Sequence, residues 1–221
     1  MKYTLMLCAL LFGGPLCVSA QTAATAEKYP LGDYEELTDT KPHDGAEVWN
    51  ALKKPVGLSW GDTDTRYKKL DVPKIENNAL WRAKAWKGER VNGQAVLWTD
   101  KALDDVTVTV SDLRGSGRAT IPASAVEASF VRYVMTDELN KGGGGGCGHR
   151  PNKADWDSSV VADVLDTVSV RDLKPCSAQP IWVNVRVPQD AAPGTYKGTL
   201  TVSSKNLKPM KLRMEIGVVN R

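Results

Sequence analysis

Between Ile181 and Val202 the chain alternates with a period of two. Ile181, Val183, Val185 and Val187 fall between Trp182, Asn184 and Arg186, so an extended segment here has one aliphatic face and one polar face with a single aromatic. Pro188 ends the run, because proline cannot donate to a sheet ladder. Asp190 to Gly194 supplies turn chemistry, and Tyr196 to Val202 alternates again. The same pattern recurs in Val106 to Leu113, with Val106, Val108 and Val110 on one face, and in Met210 to Val219, with Leu212, Met214, Ile216 and Val218 together. Further strands are predicted at Val56 to Trp60, Thr120 to Ile121, Ala128 to Met135, Asp157 to Asp163 and Asp166 to Leu173. Leu80 to Trp86 and Gln94 to Thr99 flank Gly88 and Asn92-Gly93, a turn signal that predicts an antiparallel hairpin. Short strands at this spacing, with turn residues between them and no sustained helical period, predict an all-β chain built as an antiparallel β-sandwich of immunoglobulin or jelly-roll-like type.

The first residues follow another pattern. Met1 and Lys2 precede a mostly apolar run from Leu5 to Leu16 and then Val18-Ser19-Ala20, which together read as a secretory signal peptide cut after Ala20. The residues before Cys17 and Cys8 match a lipoprotein box poorly, so an exported, periplasmic or extracellular protein without a lipid anchor is expected. Gln21 to Lys54 lacks sustained periodicity and reads as an irregular N-terminal arm, with a short helix near Gly45 to Leu52. The expected organisation is therefore a signal peptide at 1–20, an arm or linker at 21–54 and a β-sandwich domain at 55–221. No later stretch is apolar and long enough for a transmembrane helix. The 29 basic and 26 acidic residues are interspersed, without a basic block carrying aromatics, which argues against a nucleic-acid partner.

Little in the sequence carries chemistry. Cys147 and Cys176 remain after the signal peptide, and in an oxidising compartment they form a candidate disulfide, two thiols being the alternative. Cys147, His149 and Cys176 fall short of the four ligands of a structural zinc site, so neither metal nor cofactor is expected. A cysteine nucleophile could be composed from Cys147, His149 and Asp155, but the run Gly142 to Gly146 is a poor scaffold for catalytic geometry. Of the adjacent carboxylates Glu35-Glu36, Asp104-Asp105 and Asp137-Glu138, neighbours on a strand face opposite ways, so a pair lines one cleft only from a turn. Seven tryptophans offer either core filling or flat faces for sugar rings. Trp98 shares parity with Val96 and is expected to be buried; Trp156 and Trp182 are the candidates for carbohydrate stacking.

Four motifs occur in order: WRAKAWKGERVNGQAVLWT at Trp81 to Thr99, SFVRYVMTDEL at Ser129 to Leu139, CGHRP at Cys147 to Pro151, and PIWVNVRVPQDAAPGTYKGTLTV at Pro180 to Val202. Together they resemble the amino-terminal domain of exported Bacteroidetes-type proteins related to glycoside hydrolase family 123. The resemblance implies a sandwich that precedes a (β/α)-barrel whose characterised members act on β-linked N-acetylgalactosamine. No residue matches the family's catalytic motif, so no catalytic residue is assigned. The expected role is non-catalytic support of a barrel supplied in cis or in trans, with a glycan containing N-acetylhexosamine as ligand; the chain is then either a truncated fragment or a free-standing sandwich. Arg132, Tyr133, Asp137, Cys147, His149 and Arg150, which cluster in sequence around the glycine run, are the candidates for the inter-domain or cleft edge. The alternative is a stand-alone carbohydrate-binding module that works through exposed tryptophans.

Overall fold

The computed structural model describes residues 27–28, 35–136 and 159–220. The first elements are β1 (Glu27–Lys28), β2 (Glu35–Glu36), the short helix α1 (Ala46–Asn50) and β3 (Val56–Gly61). Then come β4 (Leu80–Trp86), β5 (Arg90–Thr99), β6 (Leu103–Val110), β7 (Leu113–Arg114), β8 (Thr120–Ile121) and β9 (Val126–Thr136). The last are β10 (Ser159–Leu165), β11 (Val170–Leu173), β12 (Ser177–Arg186), β13 (Gly194–Ser204) and β14 (Leu207–Val219). Apart from the β1–β2 ribbon, they form two sheets: five strands in the order β10-β9-β12-β5-β3, and a larger sheet in the order β11-β6-β13-β14-β4 with β7 paired to β13 and β8 paired to β7. The all-β sandwich is as expected. All strand pairs are antiparallel except β4 with β14, which is parallel.

The alternation does what period two requires. Ile181, Val183 and Val185 of β12, Leu200 and Val202 of β13, and the four aliphatic residues of β14 face one another in a single core. β5 instead reads as a nearly continuous apolar run because both its faces are covered. Ala95 and Leu97 point into that core, while Val96 packs outward against Tyr67 and Ala178, with Trp98 and Ile75 at the margin. Trp98 is half-buried, and Gly57 opposite it leaves the room its ring fills, since a Cβ there would overlap the indole.

The predicted hairpin does not form. β4 runs parallel to β14, from Leu80 opposite Arg213 to Trp86 opposite Val219, whereas β5 lies in the other sheet between β12 and β3. The chain turns early, at Gly88 (φ 78°), where Glu89 N–H donates to Trp86 O at 3.2 Å. Gly93 is a strand residue, and the Trp81 ring lies over it so closely that a Cβ would come within 2.8 Å of the indole. The glycine that looked like a turn is there to seat an aromatic from the opposite sheet. Likewise β12 and β13 belong to different sheets, joined by an arch. Gly88 N–H donates to Val187 O at 3.0 Å and Val187 N–H to Glu89 O at 2.8 Å, which binds the two arches together. Within the second arch Tyr196, almost wholly buried, donates its hydroxyl to Ala192 O at 2.8 Å.

Trp60 is buried and its Nε1 donates to Arg213 O at 2.9 Å, a hydrogen bond from one sheet to the other; its ring meets that of Trp81 at 5.3 Å. The segment before β3 is tied down at Asp44, whose Oδ2 accepts from Val72 N–H, and at Trp49, whose Nε1 donates to Leu70 O.

Candidate functional site

The edge near β9 is shaped by Pro180. Pairing of β9 with β12 runs from Val126 opposite Val185 to Phe130 opposite Ile181 and stops there, because Pro180 has no N–H to continue the ladder. Beyond that point side chains take over. Gln179 Nε2 donates to Val131 O at 2.8 Å, and Tyr133 Oη donates to Ala178 O at 2.8 Å. Tyr133 is fully buried, on the outward side of the five-stranded sheet, with Val131, Val160 and Ala162 and with Trp182 packed against them.

Arg132 has the opposite parity and enters a buried chain of alternating charge. Asp166, on the crossover between β10 and β11, accepts from Arg132 Nη2 at 2.9 Å and Nε at 3.3 Å. Arg171 of β11 lies 3.9 Å from Asp166 and donates to Glu36 Oε2 at 3.1 Å, and Glu36 also pairs with Lys69. Lys69 Nζ in turn sits 5.8 Å from the centre of the Tyr133 ring. The Asp166 side chain is wholly buried, and those of Arg171 and Glu36 are nearly so. Burial pushes the Asp166 carboxyl up, but the hydrogen bond and charge of Arg132 and the backbone N–H groups of Val168 and Thr167 outweigh it, so its pKa lies below the ordinary carboxylate value. The carboxylates this fold gathers, Glu36 and Asp166, are thus each committed to cations and shielded from solvent.

Of the candidate edge residues, Arg132 and Tyr133 are adjacent on β9 and lie in these two neighbouring interior clusters. Asp137, Cys147, His149, Arg150 and the stacking candidate Trp156 lie outside the described residues. Cys176, at φ 55°, is disulfide-bonded; Cys147, its expected partner, is among the residues not described. Trp182, the other stacking candidate, is half-buried against the Tyr133 cluster. Among the six described tryptophans the one exposed indole is Trp86, 48% accessible and opposite Val219. Sequence reasoning did not single it out. The alternation Trp81, Ala83, Ala85 against Arg82, Lys84, Trp86 was the available signal, since the first set packs on the core. Grooves of about 630 Å³ and 530 Å³ open at the surface, the first lined by Asp112, Arg114, Lys197, Thr199, Arg213 and Glu215 and the second by Trp60, Tyr67, Lys74 and Asn78 among others. Among the described residues no group of three or more His, Cys, Asp or Glu is placed to hold a metal ion, and no helix is long and apolar enough to cross a membrane.

Comparison with one solved structure gives the same fold. A family 123 glycoside hydrolase from Clostridium perfringens, studied for glycolipid glycan hydrolysis, superposes with a TM-score of 0.64 at 22% identity, covering 76% of this chain. The chain spans 28% of that enzyme's length. The PapD-like domain 7 of human CEP192 matches with a TM-score of 0.33 at 10% identity, over 77% of this chain and 92% of that one. No curated protein matches the sequence. Residues 60–204, which carry most of both sheets, match the glycoside hydrolase 123 N-terminal domain, and the chain belongs to that family.

Proposed function

We propose that the chain is the non-catalytic sandwich of an exported carbohydrate-active protein, and that it buttresses a (β/α)-barrel carried in cis or in trans. The observation that carries this reading is the family match over 60–204 on a sandwich whose gathered carboxylates are buried and salt-bridged. A glycosidase needs two carboxyl groups flanking a cleft that admits the sugar, and Glu36 and Asp166 instead flank Arg171 inside the protein. The buried charge chain serves as a rigid brace for the sheet edge formed by β9 and β10. The test is hydrolysis of a β-N-acetylgalactosaminide by the chain alone and by a family barrel with and without it. The reading expects no turnover from the chain and a barrel whose melting temperature rises when the sandwich is present. Turnover by the chain alone, abolished by a point change within it, overturns it.

A second reading, a carbohydrate-binding module acting by itself, is favoured by the exposure of Trp86. A partly exposed indole offers an apolar, polarisable surface on which a sugar ring can stack.

A further inference from the structure

The outward side of the larger sheet is strongly basic across β4, β14, β13 and β7, and strand register shows how the charge is laid out. Lys197 of β13 lies opposite Arg114 on one side and Glu215 on the other, and Glu215 lies opposite Arg82. One cross-strand row therefore reads Arg, Lys, Glu, Arg. In the rows to one side Arg213 is opposite Thr199 and Lys211 opposite Thr201; to the other side come Lys84 opposite Gly217 and Trp86 opposite Val219. All six cations are exposed, because each alternates with a residue of the core. At two residues per row, the face extends about 27 Å from Lys211 to Val219.

Negative charge does not balance it. Glu215 is the one acidic residue in these rows, shared between Arg82 Nε at 3.1 Å and Lys197 Nζ at 3.6 Å. Asp112 stands at the margin, its Oδ1 accepting from Ala123 N–H. Lys84, Arg114, Lys211 and Arg213 make no ion pair among the described residues. Like charges directly opposite one another weaken a sheet, so Arg114 beside Lys197 is not explained by strand pairing. The hydroxyls of Thr199 and Thr201 lie in the same rows and add hydrogen-bond donors. Gly217 keeps the floor low beside Lys84, and Trp86 stands one row beyond.

We propose that this face binds an acidic polysaccharide, with Lys84, Arg114, Lys211 and Arg213 holding its sulfate or carboxylate groups and Trp86 stacking on a sugar ring at the edge strand. The cations match a polymer with charges repeated along its length, and the guanidinium fork suits planar or tetrahedral oxyanions. A single-stranded nucleic acid fits less well, because a single exposed indole cannot stack successive bases, and duplex DNA is set against the polysaccharide in the test. The proposal deepens the second reading above, from which it takes the sugar-stacking role of Trp86, and does not depend on the barrel.

The test is equilibrium binding of the full chain, at about 0.15 M salt where exposed charges are screened beyond about 8 Å. The probes are chondroitin sulfate, its desulfated and carboxyl-reduced neutral form, and double-stranded DNA. Chondroitin sulfate should bind at least about tenfold more tightly than the neutral polymer, and K84Q/R213Q should remove about tenfold of that affinity, the loss of two exposed charge contacts. The melting temperature of K84Q/R213Q should stay that of the wild type, since both side chains are exposed and unpaired. W86A should weaken both polysaccharides and leave DNA unchanged. Equal binding of the neutral polymer overturns the proposal and leaves the simpler sugar-stacking reading standing, whereas no polysaccharide binding overturns both. DNA binding as tight as chondroitin sulfate, or unaltered binding by K84Q/R213Q, also overturns it.

Discussion

Replacing Asp166 by Asn tests whether the buried charges brace the sandwich. Asp166 is the acid that Arg132 grips with two nitrogens, and it stands 3.9 Å from Arg171. Within the chain Lys69, Glu36, Arg171, Asp166 and Arg132, the change removes one of the two carboxylates that hold its three cations. Breaking a buried pair from one side costs about 3–5 kcal/mol, because the remaining charge stays desolvated and uncompensated. With a urea dependence of about 2 kcal/mol per molar, the unfolding midpoint should fall by roughly 1.5–2.5 M. Urea titration followed by tryptophan fluorescence measures this. The pH dependence supplies a second reading of the same residue. The folded-state pKa of Asp166 is depressed, so its contribution is fully present above its ordinary value of 3.8 and is lost as pH falls through the lower folded value. The stability gap between the wild type and D166N should therefore narrow as pH is taken below 3.8. A loss of less than about 1 kcal/mol at neutral pH, the worth of an exposed pair, would refute the reasoning. So would a gap that does not change with acid.

Gly93→Val should destabilise by roughly 1–3 kcal/mol, because the Trp81 ring must move from a position 2.8 Å from the new Cβ; thermal unfolding checks it, and an unchanged melting temperature counts against the packing described. Trp60→Phe removes the indole N–H that reaches Arg213 O across the sandwich. The lost hydrogen bond alone should cost about 0.5–1.5 kcal/mol, since the parallel ladder with β4 keeps a backbone partner on the Arg213 carbonyl, with faster amide exchange near Arg213; exchange rates that match the wild type there would show that the bond does not couple the sheets.

The strands were legible in the chain because half-buried extended segments have to alternate. Ile181 to Val187, Tyr196 to Val202 and Met210 to Val219 all became strands whose aliphatic sides meet in one core. The partners of those strands were not legible. A period of two says that a face is buried but not which sheet buries it, so Asn92-Gly93 predicted a local hairpin where the fold made an arch. Gly93 has the same side chain in either role, and only the Trp81 ring above it shows why a glycine stands there.

The chemistry divided in the same way. The motifs from Trp81 to Val202 were enough to point to the family. Arg132 and Tyr133 drew notice from their place in the sequence. The surroundings of Arg132 depend on Glu36, Lys69, Asp166 and Arg171, which arrive from separate segments, and those of Tyr133 on Val160, Ala162 and Trp182. The basic face was likewise hidden, because Arg82, Lys84, Arg114, Lys197, Lys211 and Arg213 are scattered among interspersed charges. By itself, then, the sequence determined that this is a β-sandwich and which residues of each strand turn inward, since solvent imposes that pattern locally. The tertiary structure decided which strands pair, which charges are buried together and which cations share an open surface, because these depend on contacts between residues far apart in the chain.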